Sequence, residues 1–143
     1  MMTKIMVCFD GSDHAATALR HAAELARRFE ATLEVVTVMH IDVNAIAIGD
    51  SAVMIPYEED AARAAAADVL GLALTLVKDA GYPAPATHVL RGGPAEAILD
   101  HARSTGADLI VAGRRGYGTL RGMLVGSVSQ KLIAHATCPV LIV

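Results

Sequence analysis

Glycine, arginine and serine residues late in the chain have the composition of an anion-binding loop. Gly113-Arg114-Arg115-Gly116 comes first, and Gly126-Ser127 follows after nine further residues. Glycine lets the backbone approach a ligand with no side chain in the way, and successive free N–H groups form a concave anion-binding surface. Ser127 is predicted to cap the last helix, where free N–H groups and a hydroxyl would meet a phosphate. The same residues could also do no more than turn the chain.

This segment matches neither of the two common phosphate-binding fingerprints. It lacks the Gly-Lys-Ser/Thr that ends a Walker A loop, and it is not a GxGxxG sequence. No carboxylate or histidine lies between Gly113 and Gln130. Because hydrolysis of a phosphoanhydride needs a group that positions the attacking water, we predict no catalytic residues here.

Strand-like and helix-like segments alternate along the whole chain. The predicted strands are residues 4–9, 32–40, 87–91, 108–112 and 139–143. Four helices are predicted. The first begins at Ser12-Asp13, the second covers residues 57–80, the third runs from Gly92-Gly93-Pro94 to Gly106, and the fourth ends at about His135. Residues 41–56 show no clean period and are predicted to form a loop.

Several of these strands are continuous apolar runs, which is typical of parallel strands covered on both faces. Five such strands with helices between them predict one α/β domain over residues 1–143, an open, doubly wound, Rossmann-like parallel sheet with helices on both faces. Such sheets bind ligands at the carboxyl ends of their strands, where the strand order reverses. We therefore expect the site near Asp10, His40, Arg91 and Gly113, which follow or end the predicted strands.

Composition excludes several function classes and sets the style of the core. Residues are 54% hydrophobic but only 3% aromatic, so small aliphatic side chains must fill the core. Net charge is −3 without a polybasic run, and no apolar run reaches about 18 residues, so neither nucleic-acid binding nor a membrane helix is expected.

Cys8 and Cys138 form no CxxC pair and are read as reduced thiols of a cytoplasmic protein. His14 and His21 lack a third ligand, so no metal site is expected.

The spaced glycines resemble the G-2x-G-9x-G-(S/T) motif of the ATP-binding branch of the universal stress protein family. Gly113, Gly116 and Gly126-Ser127 stand at the required intervals. Three further segments resemble the family: Asp10-Gly11-Ser12, Gly92-Gly93-Pro94-Ala95-Glu96 and Thr137-Cys138-Pro139-Val140. The resemblance spans essentially the whole chain, and it implies the strand order 3-2-1-4-5 and a homodimer paired through the fifth strand.

The resemblance also implies a stress-response regulator that binds ATP, ADP or AMP, with Mg²⁺, as a nucleotide-dependent switch. Asp10 would contact the ribose or the purine, and the Val38 backbone would contact the adenine. The residues implied to line the base and phosphates are Ala112, Gly113, Arg115 and Gly116, and those at the phosphate end are Gly126, Ser127 and Val128. The alternative is a weak ATPase or a nucleotide-dependent phosphotransfer enzyme.

Overall fold

A computed structural model of the chain describes residues 1–39, 45–48, 50–54, 59–116, 122 and 124–143. The elements are, in chain order, β1 (Lys4–Cys8), α1 (Asp13–Phe29), β2 (Thr32–Val38), β3 (Ala45–Ile48), β4 (Ser51–Met54), α2 (Glu59–Asp79), β5 (Ala86–Leu90), α3 (Pro94–Thr105), β6 (Leu109–Ala112), α4 (Ser127–His135) and β7 (Val140–Ile142). None of the described helices is both long enough and apolar enough to cross a bilayer.

The main sheet has the strand order β5-β2-β1-β6-β7, and all its neighbours are parallel. Counted among the strands of this sheet, the order is 3-2-1-4-5, which confirms the predicted fold class. Helices α1 and α2 cover one face, and α3 and α4 cover the other. The strand order reverses between β1 and β6, so the chain continues from these two adjacent strands into different loops at the same edge of the sheet.

The central strand β1 explains why the apolar runs do not alternate. Ile5 and Val7 pack against the α1 face, and Met6 packs against the α3 face; all three are completely buried. Facing Ile5 and Val7 on α1 are Ala18 and Ala22, which are also completely buried. Small helix residues let α1 approach the sheet closely, which suits a chain with few aromatic residues.

Helix ends follow the predicted signals at two helices and depart from them at a third. Ser12 caps α1, its Oγ accepting a hydrogen bond from the Ala15 N–H at 3.2 Å, and Gly106 ends α3 with a left-handed φ of 68°. The prediction that Ser127 caps α4 is wrong, since Gly126 is the capping residue. The Gly126 N–H donates to the Arg114 carbonyl at 2.6 Å, which holds Gly126 outside the helix and makes Ser127 its first residue.

The prediction of a loop over residues 41–56 is also wrong in its central part. Strands β3 and β4 form a separate antiparallel hairpin, in which Ile48 pairs with Ser51. Two residues, Gly49-Asp50, therefore connect the strands, and Gly-Asp is a recognised hairpin dipeptide. The dipeptide alone does not predict the hairpin, because the flanking residues are nearly all apolar and lack the polar alternation that marks a half-exposed strand. Residues 40–44, 49 and 55–58 lie outside the described residues.

Enlarging a small residue between α1 and the sheet should be costly. Replacing the fully buried Ala22 by leucine is expected to lower the free energy of unfolding by about 1–3 kcal/mol or more, because the added methyl groups have no space. Ala65→Leu is the matched control, since Ala65 is an exposed residue of α2. Urea denaturation measures both, and equal stability of the two variants would contradict the close packing of α1.

Candidate functional site

The predicted site lies where β1 and β6 end side by side. Val7 of β1 pairs with Val111 of β6, so the residues that follow each strand emerge at the same level of the sheet. Asp10 then lies directly against Gly116, because a Cβ added to Gly116 would fall on the Asp10 Oδ2 atom. The first carboxylate after β1 thus contacts the glycine segment that follows β6.

Asp10 is held by the start of α1. Its Oδ1 accepts a hydrogen bond from the Ser12 N–H at 2.9 Å, which closes the turn between β1 and the helix. The positive end of the α1 dipole lies next to this carboxylate and stabilises its negative charge. Asp10 itself is exposed, so Oδ2 is available at the edge of the sheet.

Close packing against α1 requires a glycine at position 113. A Cβ at Gly113 would come 2.8 Å from the backbone carbon of His14 and 3.0 Å from the backbone nitrogen of Ala15. The Gly113 carbonyl also accepts a 2.7 Å hydrogen bond from the Ser129 hydroxyl. This glycine therefore allows the close approach of two backbones, whatever it contributes to a ligand.

A backbone hydrogen bond joins the two halves of the glycine motif. The Arg114 carbonyl accepts from the Gly126 N–H, and the Arg114 N–H donates to the Val143 carbonyl at 2.8 Å. The first residues of α4, Ser127 and Val128, are exposed and half-buried respectively, and N–H groups in a first helical turn have no partner within the helix. A helix start is thereby placed beside the residues that leave β6; residues 117–121 and 123 lie outside the described part of the chain.

The remaining predicted residues extend the site across neighbouring strands. Val38 is the last residue of β2 and pairs with Leu90. Ala112 ends β6, and its carbonyl accepts a 3.0 Å hydrogen bond from the Val143 N–H, while Arg115 is half-buried. The structure therefore brings the predicted residues to one edge formed by β2, β1, β6 and the start of α4.

Ser129 is a positioning residue that our reading of the sequence missed. It is 4% exposed, and its hydroxyl fixes the Gly113 carbonyl at the beginning of the glycine segment. The available signal was its spacing, because Ser129 lies three residues before Leu132 and shares its buried helix face. A buried serine on such a face needs a hydrogen-bond partner.

The nearest cysteine does not add a nucleophile to this edge. Burial, and secondarily the negative charge of Asp10, raise the pKa of the Cys8 thiol to about 12. The thiol therefore stays protonated at neutral pH, and thiols react as thiolates. Cys8 and Cys138 are both free.

Two clefts lie away from the carboxyl edge. One of about 290 Å³ lies between α3 and α4 and is lined by residues that include Glu96 and Lys131. The other, of about 380 Å³, lies at the amino ends of the strands and is lined by residues that include Lys4 and Glu34. Neither is lined by a residue of the glycine motif.

The chain belongs to the universal stress protein family, whose sequence profile matches residues 1–143. A universal stress protein of Thermus aquaticus is 38% identical over 148 residues, which cover all of this chain and 99% of the relative. Universal stress protein YxiE of Bacillus subtilis is 34% identical over 151 residues, with coverage of 100% and 99%.

Solved structures show the same fold, and two of them contain nucleotides. UspA from Lactobacillus plantarum is 28% identical with a TM-score of 0.78, covering 99% of this chain and 97% of the other. A universal stress protein solved in complex with cAMP is 27% identical, with a TM-score of 0.74 and coverage of 99% and 96%. One from Archaeoglobus fulgidus in complex with dAMP is 26% identical, with a TM-score of 0.68 and coverage of 99% and 98%.

The two glycines of the first half of the motif should respond differently to alanine. Gly113→Ala is expected to lower the free energy of unfolding by about 1–3 kcal/mol, since backbone atoms of α1 block the new methyl group. Gly116→Ala should change it by less than about 1 kcal/mol, because the Asp10 side chain can rotate away. Urea denaturation gives both values, and an equal loss in the two variants would contradict the difference in packing.

Proposed function

We propose that this protein binds an adenine nucleotide, ATP with Mg²⁺, at the carboxyl edge of its sheet and acts as a nucleotide-dependent switch in the stress response. The observation that carries the proposal is the convergence of three backbone segments. Asp10 contacts Gly116, and the Arg114–Gly126 hydrogen bond sets the start of α4 beside them. A mononucleotide needs such an arrangement, with an acceptor for its sugar at one end and N–H groups for its phosphates at the other.

Each predicted residue has a role in this proposal. The Asp10 carboxylate accepts hydrogen bonds from ribose hydroxyls, and the end of β2 supplies backbone polar groups to the adenine. Arg115 neutralises phosphate charge, and the first turn of α4 donates N–H groups to the terminal phosphates. The residues proposed to hold the nucleotide are Asp10, Val38, Ala112, Gly113, Arg115, Gly116, Gly126, Ser127 and Val128.

The relatives support an adenine nucleotide as the class of ligand, but they do not fix the number of its phosphates. Both cAMP and dAMP carry adenine and one phosphate, and each was found in a family member that this chain matches over nearly its full length. The choice of a triphosphate rests on the second half of the glycine motif at α4. Mg²⁺ would neutralise charge between neighbouring phosphate groups when ATP is bound.

A regulatory role fits the chemistry of this edge better than catalysis. The Asp10 carboxylate is engaged by Ser12 through Oδ1 and lies next to Gly116 through Oδ2, so it orients a ligand rather than serving as a free base. The Cys8 thiol is protonated at neutral pH, as its raised pKa requires. We further propose a cytoplasmic location, in which the two free cysteines stay reduced, and no nucleic-acid partner.

Nucleotide binding should be lost when the turn into α4 is made bulky. Gly126 is buried and is the N-cap of α4, so a valine there would disturb the turn that presents the N–H groups proposed to bind the phosphates. We expect Gly126→Val to weaken ATP binding at least about tenfold, a loss of 1.4 kcal/mol or more, while the fold survives. Isothermal titration calorimetry of purified protein with ATP and Mg²⁺ measures the affinity.

Two controls test whether the loss of affinity is specific to the turn into α4 and to a polyphosphate ligand. Gly71→Val adds the same side chain on an exposed face of α2, where a Cβ would meet nothing within 4 Å, and it should bind like the wild type. Removing Mg²⁺ should weaken ATP and leave AMP unchanged, because AMP has no neighbouring phosphates to bridge. No binding of ATP or AMP by the wild type at millimolar concentration would refute the proposal.

The edge strand β7 is the surface through which we propose a homodimer. It pairs with β6 on one side and is at the end of the sheet. The Pro139 carbonyl and the Val143 N–H both bond to β6, so alternation directs the N–H groups of Val140 and Ile142 outwards. An outward row of such groups is a template for a second copy.

Proline at position 142 should break this pairing. Light scattering is expected to give the wild type a mass twice the 14.9 kDa of one chain, and Ile142→Pro a single-chain mass, because proline removes an outward N–H donor. Ile142→Ala loses side-chain packing but keeps the N–H group, so it should stay dimeric. A dimeric Ile142→Pro variant would rule out pairing through β7.

A further inference from the structure

Two histidines and a glutamate from three separate elements meet away from the carboxyl edge of the sheet. Glu34 lies on β2, His88 on β5 and His101 on α3. Each offers one ligand atom, and these atoms all lie within 4.8 Å of one another. Glu34 is the third of seven residues in β2 and His88 is the central residue of β5, so the cluster lies near the middle of these strands, under α3.

Two atoms of this cluster are buried without a hydrogen-bond partner. Glu34 is 9% exposed, and neither its Oε2 atom nor the His101 Nε2 atom finds a partner among the described residues. They lie 3.6 Å apart, which is too long for a hydrogen bond. Because buried polar atoms are nearly always satisfied, these two unpartnered atoms are suited to share a bound ion or water.

We propose that Glu34, His88 and His101 bind one divalent transition-metal ion, with Zn²⁺ the best match. Imidazole and carboxylate together suit zinc, and three protein ligands with a water in the fourth position form a known tetrahedral arrangement. Ligand atoms around tetrahedral zinc are roughly 3.3 Å apart, given metal–ligand bonds of about 2.0–2.1 Å. The separation of Glu34 Oε2 and His101 Nε2 is close to this value, and the His88 ligand atom, which lies within 4.8 Å of the other two, would move closer to complete the site.

Neighbouring groups already orient the three ligands. Lys4 Nζ is 3.6 Å from Glu34 Oε1 and donates to the Thr105 carbonyl at 2.8 Å, so it engages one carboxylate oxygen and leaves Oε2 towards the histidines. The rings of His88 and His101 contact each other with centroids 4.7 Å apart. The Lys4 contact is an outer interaction of the kind that orients a metal ligand and tunes its affinity, and the ring contact keeps the two histidines together.

The cleft at the amino ends of the strands supplies a route for the ion. Lys4 and Glu34 both line it, so solvent comes up to the residue that carries the buried carboxylate oxygen. A bound ion would join the edge strand β5 to β2 and α3, three elements that are distant in the sequence. Metal binding would therefore stabilise the folded chain without any nucleotide.

The competing explanation is an ion pair between protonated His101 and Glu34 without a metal. It leaves His88 with no part in the cluster, whereas the metal uses all three side chains. The two explanations differ in the response of nucleotide-free protein to Zn²⁺ and Co²⁺, so the outcome does not depend on the proposed nucleotide function.

The test is metal binding to the nucleotide-free protein. We expect one equivalent of Zn²⁺ in competition with a chromophoric chelator, and Co²⁺ in its place should give the strong visible absorption of a tetrahedral site. His88→Gln and His101→Gln should each weaken Zn²⁺ at least about a hundredfold, because loss of even an outer-shell partner costs roughly 10–100-fold. Zn²⁺ at about 100 times the wild-type Kd should raise the wild-type Tm by about 5–10 °C and the Tm of these variants by no more than about 2 °C.

His21→Gln is the matched control, since His21 is an exposed histidine of α1 outside the cluster. It should bind Zn²⁺ like the wild type, and an equal loss in this variant would mean surface binding and overturn the proposal. Weak, octahedral Co²⁺ absorption in the wild type would overturn it too, whether or not any variant folds. Unchanged affinity in both cluster variants would have the same meaning.

Discussion

The parallel pairing of β1 with β6 is the contact on which the candidate site depends. It places two strands side by side that lead into different loops, one to Asp10 and the other to the glycine segment. The pairing is held by burial, because Ile5, Met6 and Val7 are covered completely by helices on both faces. Burial on both faces leaves little freedom for β1 to slide, so the positions of both loops are set by the core rather than by the loops themselves.

The geometry of the glycine segment is maintained by backbone contacts and one serine. Gly113 lets this segment touch the first turn of α1, Ser129 fixes its carbonyl, and Arg114 joins it to Gly126. None of these contacts uses the side chain of Asp10 or Arg115, two of the charged groups at this edge. Preformed backbone polar groups lower the ordering cost of binding, which would favour the nucleotide binding proposed above.

The two ends of the sheet carry different chemistry. The carboxyl edge has glycine, a carboxylate and a helix start, whereas the buried Glu34 and the half-buried His88 and His101 meet under α3. A buried carboxylate without a full set of partners destabilises a fold, and the chain keeps it beside Lys4 rather than replacing it with an apolar residue. That cost is understandable if the cluster binds something that offsets it.

Local patterns in the sequence were sufficient for the α/β alternation, the main-sheet strands, the bounds of α3 and the grouping of Asp10 with the glycine motif. Apolar runs and glycine punctuation act over a few residues, so they can be read without a structure. The resemblance to the family supplied the strand order, which no local pattern contains. The β3–β4 hairpin was not predicted because its residues are nearly all apolar and show no alternation. The N-cap of α4 was predicted one residue too late, at Ser127, because it depends on a hydrogen bond between Gly126 and Arg114, which local patterns do not reveal. Glu34, His88 and His101 meet only in the tertiary structure, since strand pairing and the docking of α3 bring together side chains that are up to 67 residues apart in the sequence.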